Sequence, residues 1–152
     1  MTQRGTYSKQ APDMFQAMRD FSRAAAQGLD PTVAELVKIR ASQLNKCAFC
    51  LDMHVRDARK AGEADERLFL LDAWQETDGV YTARERAALG LTEAMTLLTG
   101  GPAGSFVPDA VWQEAAGHFD EDELARLVGT ITAINAWNRL NVAYRVAPGR
   151  LV

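Results

Sequence analysis

A short stretch of the chain, residues 35 to 62, restricts its folding more than any other. It holds both cysteines, Cys47 and Cys50, and one of the two histidines, His54. An α-helix turns by about 100° per residue, so these three side chains would share one narrow stripe about two turns long. The spacing therefore predicts that two thiols and an imidazole lie on one face of a helix.

The start of that helix bears on the chemistry of the thiols. Asn45 and Lys46 interrupt the helical pattern, so we expect Cys47 to lie in the first turn. Backbone N–H groups of a first turn have no intrahelical partner, and with the helix dipole they stabilise a thiolate. A dithiol redox centre is the leading interpretation. Two alternatives remain open: buried structural cysteines, or a zinc site completed by His118 or a carboxylate.

Helical periodicity continues through most of the chain. The pattern predicts helices over 12–27, 31–44, 47–61, 64–76, 83–98, 109–118 and 121–144, after a polar tail at residues 1–10. No stretch alternates with period two, which argues for an all-α fold and against a thioredoxin fold, where a strand precedes the Cys-x-x-Cys motif. At 152 residues we expect one domain, residues 1–152.

The turn before the cysteines determines where Glu35 lies relative to His54. If helices 31–44 and 47–61 form an antiparallel hairpin about Asn45, Glu35 and His54 both lie about 15 Å from the turn, at roughly 1.5 Å per residue. The carboxylate and the imidazole would then be level. Their contact would fix the ring tautomer and raise the basicity of the other nitrogen. A solvated Glu35 is the alternative.

These residues also carry a family resemblance. Glu35, Cys47, Cys50 and His54, with the flanking words LVKIRASQLNKCAFCLDMH and INAWNRLNVAYR, resemble the AhpD-like alkylhydroperoxidase core of the carboxymuconolactone decarboxylase superfamily. The resemblance implies an all-α, AhpD-like helical bundle whose helical hairpin carries the Cys-x-x-Cys site, assembled as a trimer or hexamer. It implies that Cys50 attacks a peroxide, Cys47 resolves the sulfenic acid as a disulfide, and Glu35 and His54 relay protons.

Phe49 departs from that pattern, because the best-known branch of the family has a histidine directly before the second cysteine. A phenyl group removes one relay member and makes the site more apolar. We therefore expect a hydroperoxide-reducing peroxidase, with two alternatives: a thiol–disulfide oxidoreductase or redox sensor, and a helical oligomer with structural or zinc-holding cysteines. The resemblance suggests a lipoyl-bearing or thioredoxin-like protein as the thiol reductant, and implies no cofactor.

Composition excludes some classes of function. A formal net charge of −3 argues against a nucleic-acid-binding protein. The chain has no apolar run long enough for a membrane span, and its start, MTQRGTYSKQ, lacks the apolar core of a secretion signal. We expect a cytoplasmic protein, in which a Cys-x-x-Cys motif is catalytic or metal-binding rather than a permanent disulfide.

Three further expectations concern polar residues and a loop. The last helix carries Asn135, Asn138, Arg139 and Asn141, which favours a subunit contact over a solvated face or an active-site wall. The loop over residues 99–108 is a connector or, with Phe106, a lid over the site. Glu85, which also completes a capping box, and Glu93 are expected to be solvated.

Overall fold

The structure, a computed structural model, describes residues 2–98 and 106–149, and the regular secondary structure within them is entirely helical. The predicted all-α fold is thereby confirmed. No helix in the described ranges is both long and apolar enough to cross a membrane. The α-helices are α1 (Tyr7–Gln10), α2 (Pro12–Ala26), α3 (Pro31–Leu44), α4 (Ala48–Lys60), α5 (Asp65–Leu70), α6 (Ala83–Leu97), α7 (Asp109–His118) and α8 (Glu121–Tyr144), and a 3-10 helix, Leu71–Glu76, follows α5.

Helix ends follow the capping residues of the sequence. The Asp30 side chain accepts the backbone N–H three residues on, and α3 begins with a proline. Thr82 and Glu85 form a capping box at the start of α6, and Asp120 and Glu123 form another at the start of α8. Each box satisfies two N–H groups that a helix start would leave unpaired. The predicted starts of these three helices are confirmed.

The core lies on both sides of α3. On one side Val37 packs with Leu127 and Ile131 of α8, all with no measurable exposure. On the other side, Leu36 and Ile39 pack against α6 and the 3-10 helix. A helix that is buried around most of its surface is held rigidly. The C-terminal end of α3 is therefore a fixed support for the hairpin that carries the cysteines.

Two segments differ from the sequence-based expectation. The helix predicted over 64–76 is divided, because Ala73 has non-helical angles (φ −119°, ψ 30°) and its second half is a 3-10 helix. The N-terminal residues are not simply a polar tail. Residues 7–10 form α1, and Tyr7 is buried against the rings of Phe15, Trp137 and Tyr144. The aromatic ring at position 7 supplies the apolar contact that the polar residues around it lack.

The expectation that Glu85 and Glu93 are solvated is wrong. Glu85 is buried and accepts a hydrogen bond of 2.6 Å from Arg67. Glu93 accepts from Arg40 Nε at 2.8 Å and from Trp74 Nε1 at 2.7 Å. Charged donors at these distances offset the loss of water around a carboxylate. Both residues lie in ion pairs that join α6 to other parts of the fold.

Most of the loop between α6 and α7 lies outside the described residues. The connector and lid predictions for residues 99–105 therefore also lie outside them. Phe106, at its described end, is 57% exposed. It does not contribute to the cavity beside the cysteines.

Candidate active site

The α3–α4 hairpin brings the cysteines into the core. The chain reverses over Asn45 and Lys46, and Lys46 adopts the left-handed conformation (φ 56°) that a tight reversal requires. Cys47 follows as the N-cap of α4, and its backbone N–H donates to the Ser42 carbonyl at 3.0 Å. Cys47 therefore precedes the helix, and Cys50, not Cys47, occupies the first turn. The unpaired N–H groups of the first turn, which stabilise an anion, therefore act on the Cys50 sulfur.

The two thiols are in direct contact. Cys47 and Cys50 are reduced and buried, and their sulfur atoms lie 2.7 Å apart. Two thiols in hydrogen-bond contact are already placed for a disulfide between them. Disulfide formation here requires side-chain movement rather than a rearrangement of the backbone.

The contact separates the pKa values of the two thiols. The Cys47 thiol donates to Cys50, and this bond, helped by the amides of Asn138 and Asn141, lowers the pKa of Cys50 to about 7 against the opposing effect of burial. The same bond, together with burial, raises the pKa of Cys47. Cys50 is therefore the thiol that ionises first, and Cys47 keeps its proton.

A chain of hydrogen bonds leads from the N-terminal segment to Cys50. The Asn141 side-chain amide donates to Cys50 Sγ at 3.2 Å, and the Tyr7 hydroxyl donates to Asn141 Oδ1 at 3.0 Å. Because the amide oxygen is occupied by Tyr7, the NH₂ group faces the sulfur. Burial is the largest cause and negative charge on Cys50 the next largest of the effects that raise the pKa of Tyr7, so the phenol remains a donor.

Two asparagines of α8, Asn135 and Asn138, are hydrogen-bonded to the hairpin turn. Asn45 donates to Asn135 Oδ1 at 2.9 Å and to Asn138 Oδ1 at 3.0 Å, and Asn138 donates to Ser42 Oγ at 3.0 Å. Asn135, Asn138 and Asn141 are all buried within the protomer. Asn141, which contacts Cys50, fits the active-site wall, the third interpretation of these amides, whereas Asn135 and Asn138 fix the hairpin turn. The polar groups of these amides are paired within one chain, so they do not argue for a subunit contact. A homo-oligomer remains a prediction.

The predicted contact between Glu35 and His54 is confirmed. Glu35 Oε2 lies 3.0 Å from His54 Nδ1, and the other carboxylate oxygen accepts from Lys38. Burial raises the pKa of Glu35, but the hydrogen bonds from His54 and Lys38 together outweigh it and hold that pKa below its ordinary value. A carboxylate at Nδ1 keeps the proton there and leaves Nε2 free to accept one. The pair is thus arranged as a base.

A cavity of about 440 Å³ opens beside this group of residues. Cys50 and His54 lie on its wall, whereas Cys47 does not. Two other depressions reach Cys47, and one of them shares Phe49 and Asn141 with this cavity. Most of the cavity wall is apolar or aromatic, and the large apolar and aromatic side chains on it are Tyr7, Phe15, Phe49, Met53, Ile134 and Trp137. A molecule in the cavity meets the more acidic thiol first.

The described residues offer no ligand set for zinc. Within residues 2–98 and 106–149, no three side chains among His, Cys, Asp and Glu gather as metal ligands. His118, the fourth ligand considered from the sequence, is at the end of α7 and lies 3.4 Å from Glu114.

Tyr7 is a site residue that sequence reasoning did not single out, whereas Asn138 and Asn141 were singled out but interpreted first as a subunit contact. A signal for the amides was present: asparagines at 135, 138 and 141 recur every three residues beside Ile131 and Ile134 on one face of a helix. Amides that share a face with buried aliphatic residues are themselves buried and need partners. No comparable signal marks Tyr7.

The fold and the site define an all-α protein with a buried dithiol at a helix start, beside a carboxylate–imidazole pair. The sequence model of the carboxymuconolactone decarboxylase family matches residues 12–94, and the chain belongs to this family, with the AhpD-like core that its motif predicted. It is 42% identical over 144 residues to the uncharacterized protein YdfG of Bacillus subtilis. The aligned residues cover 94% of this chain and 95% of YdfG.

Solved structures share the fold. ATU0492 of Agrobacterium tumefaciens is a protein of unknown function for which a role as the antioxidant defence protein AhpD has been suggested. It superposes with a TM-score of 0.90 at 35% identity, over 98% of this chain and 99% of its own. The debrominase Bmp8 superposes with a TM-score of 0.78 at 17% identity, over 93% of this chain and 74% of its own. At that identity Bmp8 supports the fold alone.

Proposed function

We propose that this protein is an enzyme that reduces hydroperoxides with the Cys47–Cys50 dithiol. The observation that carries the proposal is the placement of Cys50. Its thiol has the lowered pKa, it opens onto an apolar cavity, and its sulfur touches a second thiol 2.7 Å away. Membership of a family with AhpD-like proteins supports the same reaction.

In the first step the Cys50 thiolate attacks the terminal oxygen of the hydroperoxide. The S–O bond forms as the O–O bond breaks, which leaves a sulfenic acid on Cys50 and an alcohol. The Glu35–His54 pair, with His54 on the same cavity wall, takes the proton that Cys50 loses and returns it to the departing oxygen. One hydroperoxide thus consumes one thiolate and one proton.

In the second step Cys47 resolves the sulfenic acid. Its sulfur attacks Cys50 Sγ, the S–S bond forms, and the oxygen leaves as water with the Cys47 proton. In total, two thiols and one hydroperoxide give one disulfide, one alcohol and one water. A thiol reductant must then supply two electrons to reopen the disulfide, and a lipoyl-bearing or thioredoxin-like protein is the class that we propose.

Thiol–disulfide exchange without peroxidase activity is the second candidate. Phe49, on the cavity wall, offers no proton where the best-known branch of the family has a histidine. The depressions beside Cys47 would allow a partner disulfide to approach that thiol. This candidate predicts rapid reaction with disulfides and slow reaction with hydroperoxides.

The experiment that tests the proposal counts free thiols before and after one equivalent of cumene hydroperoxide. Both cysteines are buried, so the chromogenic disulfide reagent is added after rapid denaturation in acid. We expect two thiols to fall to none within seconds, and Cys50→Ser to lose the reaction. In Cys47→Ser, Cys50 should still be oxidised, but a sulfenic acid should persist and react with a dione trap. If both thiols survive hydroperoxide but oxidise with a small disulfide, the exchange function replaces the peroxidase.

A further inference from the structure

A depression of about 480 Å³ reaches Cys47 between the start of α4 and the end of α8. Lys46, Cys47 and Phe49 line it from the α3–α4 hairpin, and Arg145 lines it from the residue that follows α8. Cys50 is not on its wall, whereas the apolar cavity reaches Cys50 and not Cys47. We name it the Cys47 depression. The two thiols are therefore reached through different openings.

The rim of the Cys47 depression is positively charged. Lys46 and Arg145 are exposed, and neither pairs with a carboxylate among the described residues. Arg4 is a third cation near the end of α8, where its guanidinium donates to a backbone carbonyl at 3.2 Å. Asp52, the carboxylate of α4 closest in sequence to the cysteines, is already paired with Arg56 at 2.9 Å. Because the whole chain has a formal net charge of −3, this positive charge is local.

Both cations of the rim occupy backbone positions that favour glycine. Lys46 (φ 56°) follows α3 and Arg145 (φ 54°) follows α8, and both are left-handed. Among the described residues, Leu98 is the one other non-glycine residue with a positive φ. A glycine would adopt these angles without a steric cost. Charged side chains held at that cost on both sides of one depression favour a function for the charge.

The chemistry of the oxidised dithiol favours attack at Cys47. When a thiolate attacks one sulfur of a disulfide, the other sulfur leaves as a thiolate, and the more acidic thiol leaves faster. Cys50 has the lower pKa of the two. Cys50 is therefore the better leaving group, and Cys47 is the sulfur that a reductant attacks.

We propose that the thiol reductant is an acidic protein, and that it reduces the disulfide through the Cys47 depression with its carboxylates beside Lys46 and Arg145. Opposite charges on the two surfaces would guide their approach. The second depression that reaches Cys47 fits such a partner less well, because the carboxylate of Asp72 lines it. The proposal rests on the Cys47–Cys50 disulfide of the proposed function, and it names the charge of the partner and the sulfur that it attacks.

The reduction is a thiol–disulfide exchange in two steps. A thiolate of the reductant attacks Cys47 Sγ, the bond between the reductant and Cys47 forms, and Cys50 leaves as a thiolate. The second thiol of the reductant then attacks the reductant sulfur of this mixed disulfide, which closes the reductant's own disulfide and releases Cys47. Cys47 takes the proton of that second thiol, and two electrons pass from the reductant to the protein.

The test compares dihydrolipoate with dihydrolipoamide, which carry the same dithiol and differ in one negative charge. The protein is oxidised with hydroxyethyl disulfide, desalted, mixed with either dithiol and quenched in acid, and its free thiols are counted after the dithiol is removed. Two unit charges about 7 Å apart in water change a rate by about threefold. We expect dihydrolipoate to react about threefold faster or more at about 20 mM salt, and the two rates to converge at about 0.5 M salt.

Glycine variants connect that preference to the two cations. Lys46→Gly and Arg145→Gly remove the charge and leave the left-handed backbone without strain, so both should fold as stably as the unaltered protein. Each should lower the ratio of the two rates, and the variant with both changes should bring it close to one. Leu98→Gly is the matched control, because it makes the same backbone change outside the Cys47 depression and removes no charge.

A monothiol acid locates the sulfur that is attacked. Thioglycolate lacks a second thiol, so the exchange halts at a mixed disulfide, which acid quenching followed by alkylation preserves. Fragmentation of the peptide with both cysteines in a mass spectrometer should place the adduct on Cys47 and the alkyl group on Cys50. The reverse assignment would mean that the reductant enters the apolar cavity, and it would overturn the proposal.

Failure of this proposal differs from failure of the proposed function. Equal rates for dihydrolipoate and dihydrolipoamide in the unaltered protein, or a ratio that survives when both cations are replaced, would overturn the acidic partner and leave hydroperoxide reduction in place. Thiols that survive hydroperoxide would remove the peroxidase, while hydroxyethyl disulfide would still give the disulfide that this test requires. If neither oxidant joins Cys47 to Cys50, both proposals fail.

Discussion

The Asn141 amide donates a hydrogen bond to the Cys50 sulfur at 3.2 Å, across 91 residues of sequence. A hydrogen bond to a thiol sulfur is worth more when the sulfur is charged, so it favours the thiolate. Asn141 is held in this orientation by the Tyr7 hydroxyl on its oxygen. The N-terminal segment, through one phenol, thus influences the ionisation of a thiol in the α3–α4 hairpin.

The first prediction concerns Tyr7→Phe, which keeps the ring and removes only the hydroxyl. Without that donor, the Asn141 amide is less polarised and less firmly oriented. We expect the pKa of Cys50 to rise and its reaction with hydroperoxide at neutral pH to slow several-fold. The measurement is the pH profile of thiolate absorbance in the ultraviolet. A disturbance of packing alone would not move that profile.

Tyr144→Phe is the control for this prediction. The Tyr144 ring packs edge-on against Tyr7, with ring centres 5.3 Å apart. Its change to phenylalanine removes a hydroxyl from the same aromatic cluster and leaves the Tyr7–Asn141 bond in place. Coincident pH profiles for Tyr7→Phe and the unaltered protein would show that the phenol has no part in the ionisation of Cys50.

The second prediction concerns the pH dependence of the reaction. Because the pKa of Cys50 is lowered to about 7, its oxidation should accelerate as pH rises through 7 and then level off. Cys47 is the largest cause of that lowering, so Cys47→Ala should move the midpoint upward, toward the ordinary thiol range. Rates of alkylation by iodoacetamide, followed across pH, measure the midpoint. A midpoint that stays in place would mean that the amides alone set the pKa.

The third prediction concerns stability and leaves the dithiol untouched. Arg40 is buried, and it pairs with Glu93 and with Asp72, whose side chain is 72% exposed. Glu93→Gln keeps an acceptor oxygen but removes the charge that the buried guanidinium faces. We expect a loss of about 1–3 kcal/mol in the free energy of unfolding. Urea titration at fixed protein concentration measures it, since any association of chains would add to stability.

Glu76→Gln is the comparison for Glu93→Gln, because Glu76 is exposed at the end of the 3-10 helix. Its substitution should change the free energy of unfolding by less than about 0.5 kcal/mol. Thiol reactivity should be the same in both variants. Equal stability of the two would mean that Asp72 alone satisfies Arg40.

Local spacing was sufficient to predict one half of the site. Cys47, Cys50 and His54 lie within two helical turns, and Glu35 follows from the equal rise along two arms of a hairpin. These are relations within 20 residues, where helix geometry leaves few alternatives. The helix ends were predictable for the same reason, since capping depends on residues three positions apart.

The other half depends on long-range packing. Tyr7 reaches Asn141 across 134 residues, and no periodicity in the sequence relates them. Glu93 was expected at the surface because carboxylates usually are, yet Arg40 and Trp74 come from other helices to meet it. The prediction that the cysteine helix begins at Cys47 is wrong by one residue, and the cause is local. Its extended angles (φ −87°, ψ 92°) make it the cap, and they place Cys50 in the first turn.

The fourth prediction concerns Glu35→Gln. The amide can still accept a hydrogen bond from His54 Nδ1, but it no longer supplies the negative charge that supports protonation at Nε2. We expect hydroperoxide reduction to slow by about ten- to a hundredfold, while alkylation of Cys50 by iodoacetamide, which needs no proton for its leaving group, changes much less. Glu66→Gln, an exposed carboxylate on α5, should leave both rates unchanged.

Glu35→Gln should also change how the free energy of unfolding depends on pH in the acid range. The pKa of Glu35 is lowered in the folded protein, so its ionisation contributes stability above its ordinary pKa and loses it as pH falls through the folded pKa. Glu35→Gln removes that dependence, so its unfolding free energy should fall less steeply with acid than that of the unaltered protein. Parallel curves in urea titrations across that range, combined with an unchanged peroxidase rate, would show that Glu35 acts on neither His54 nor the reaction.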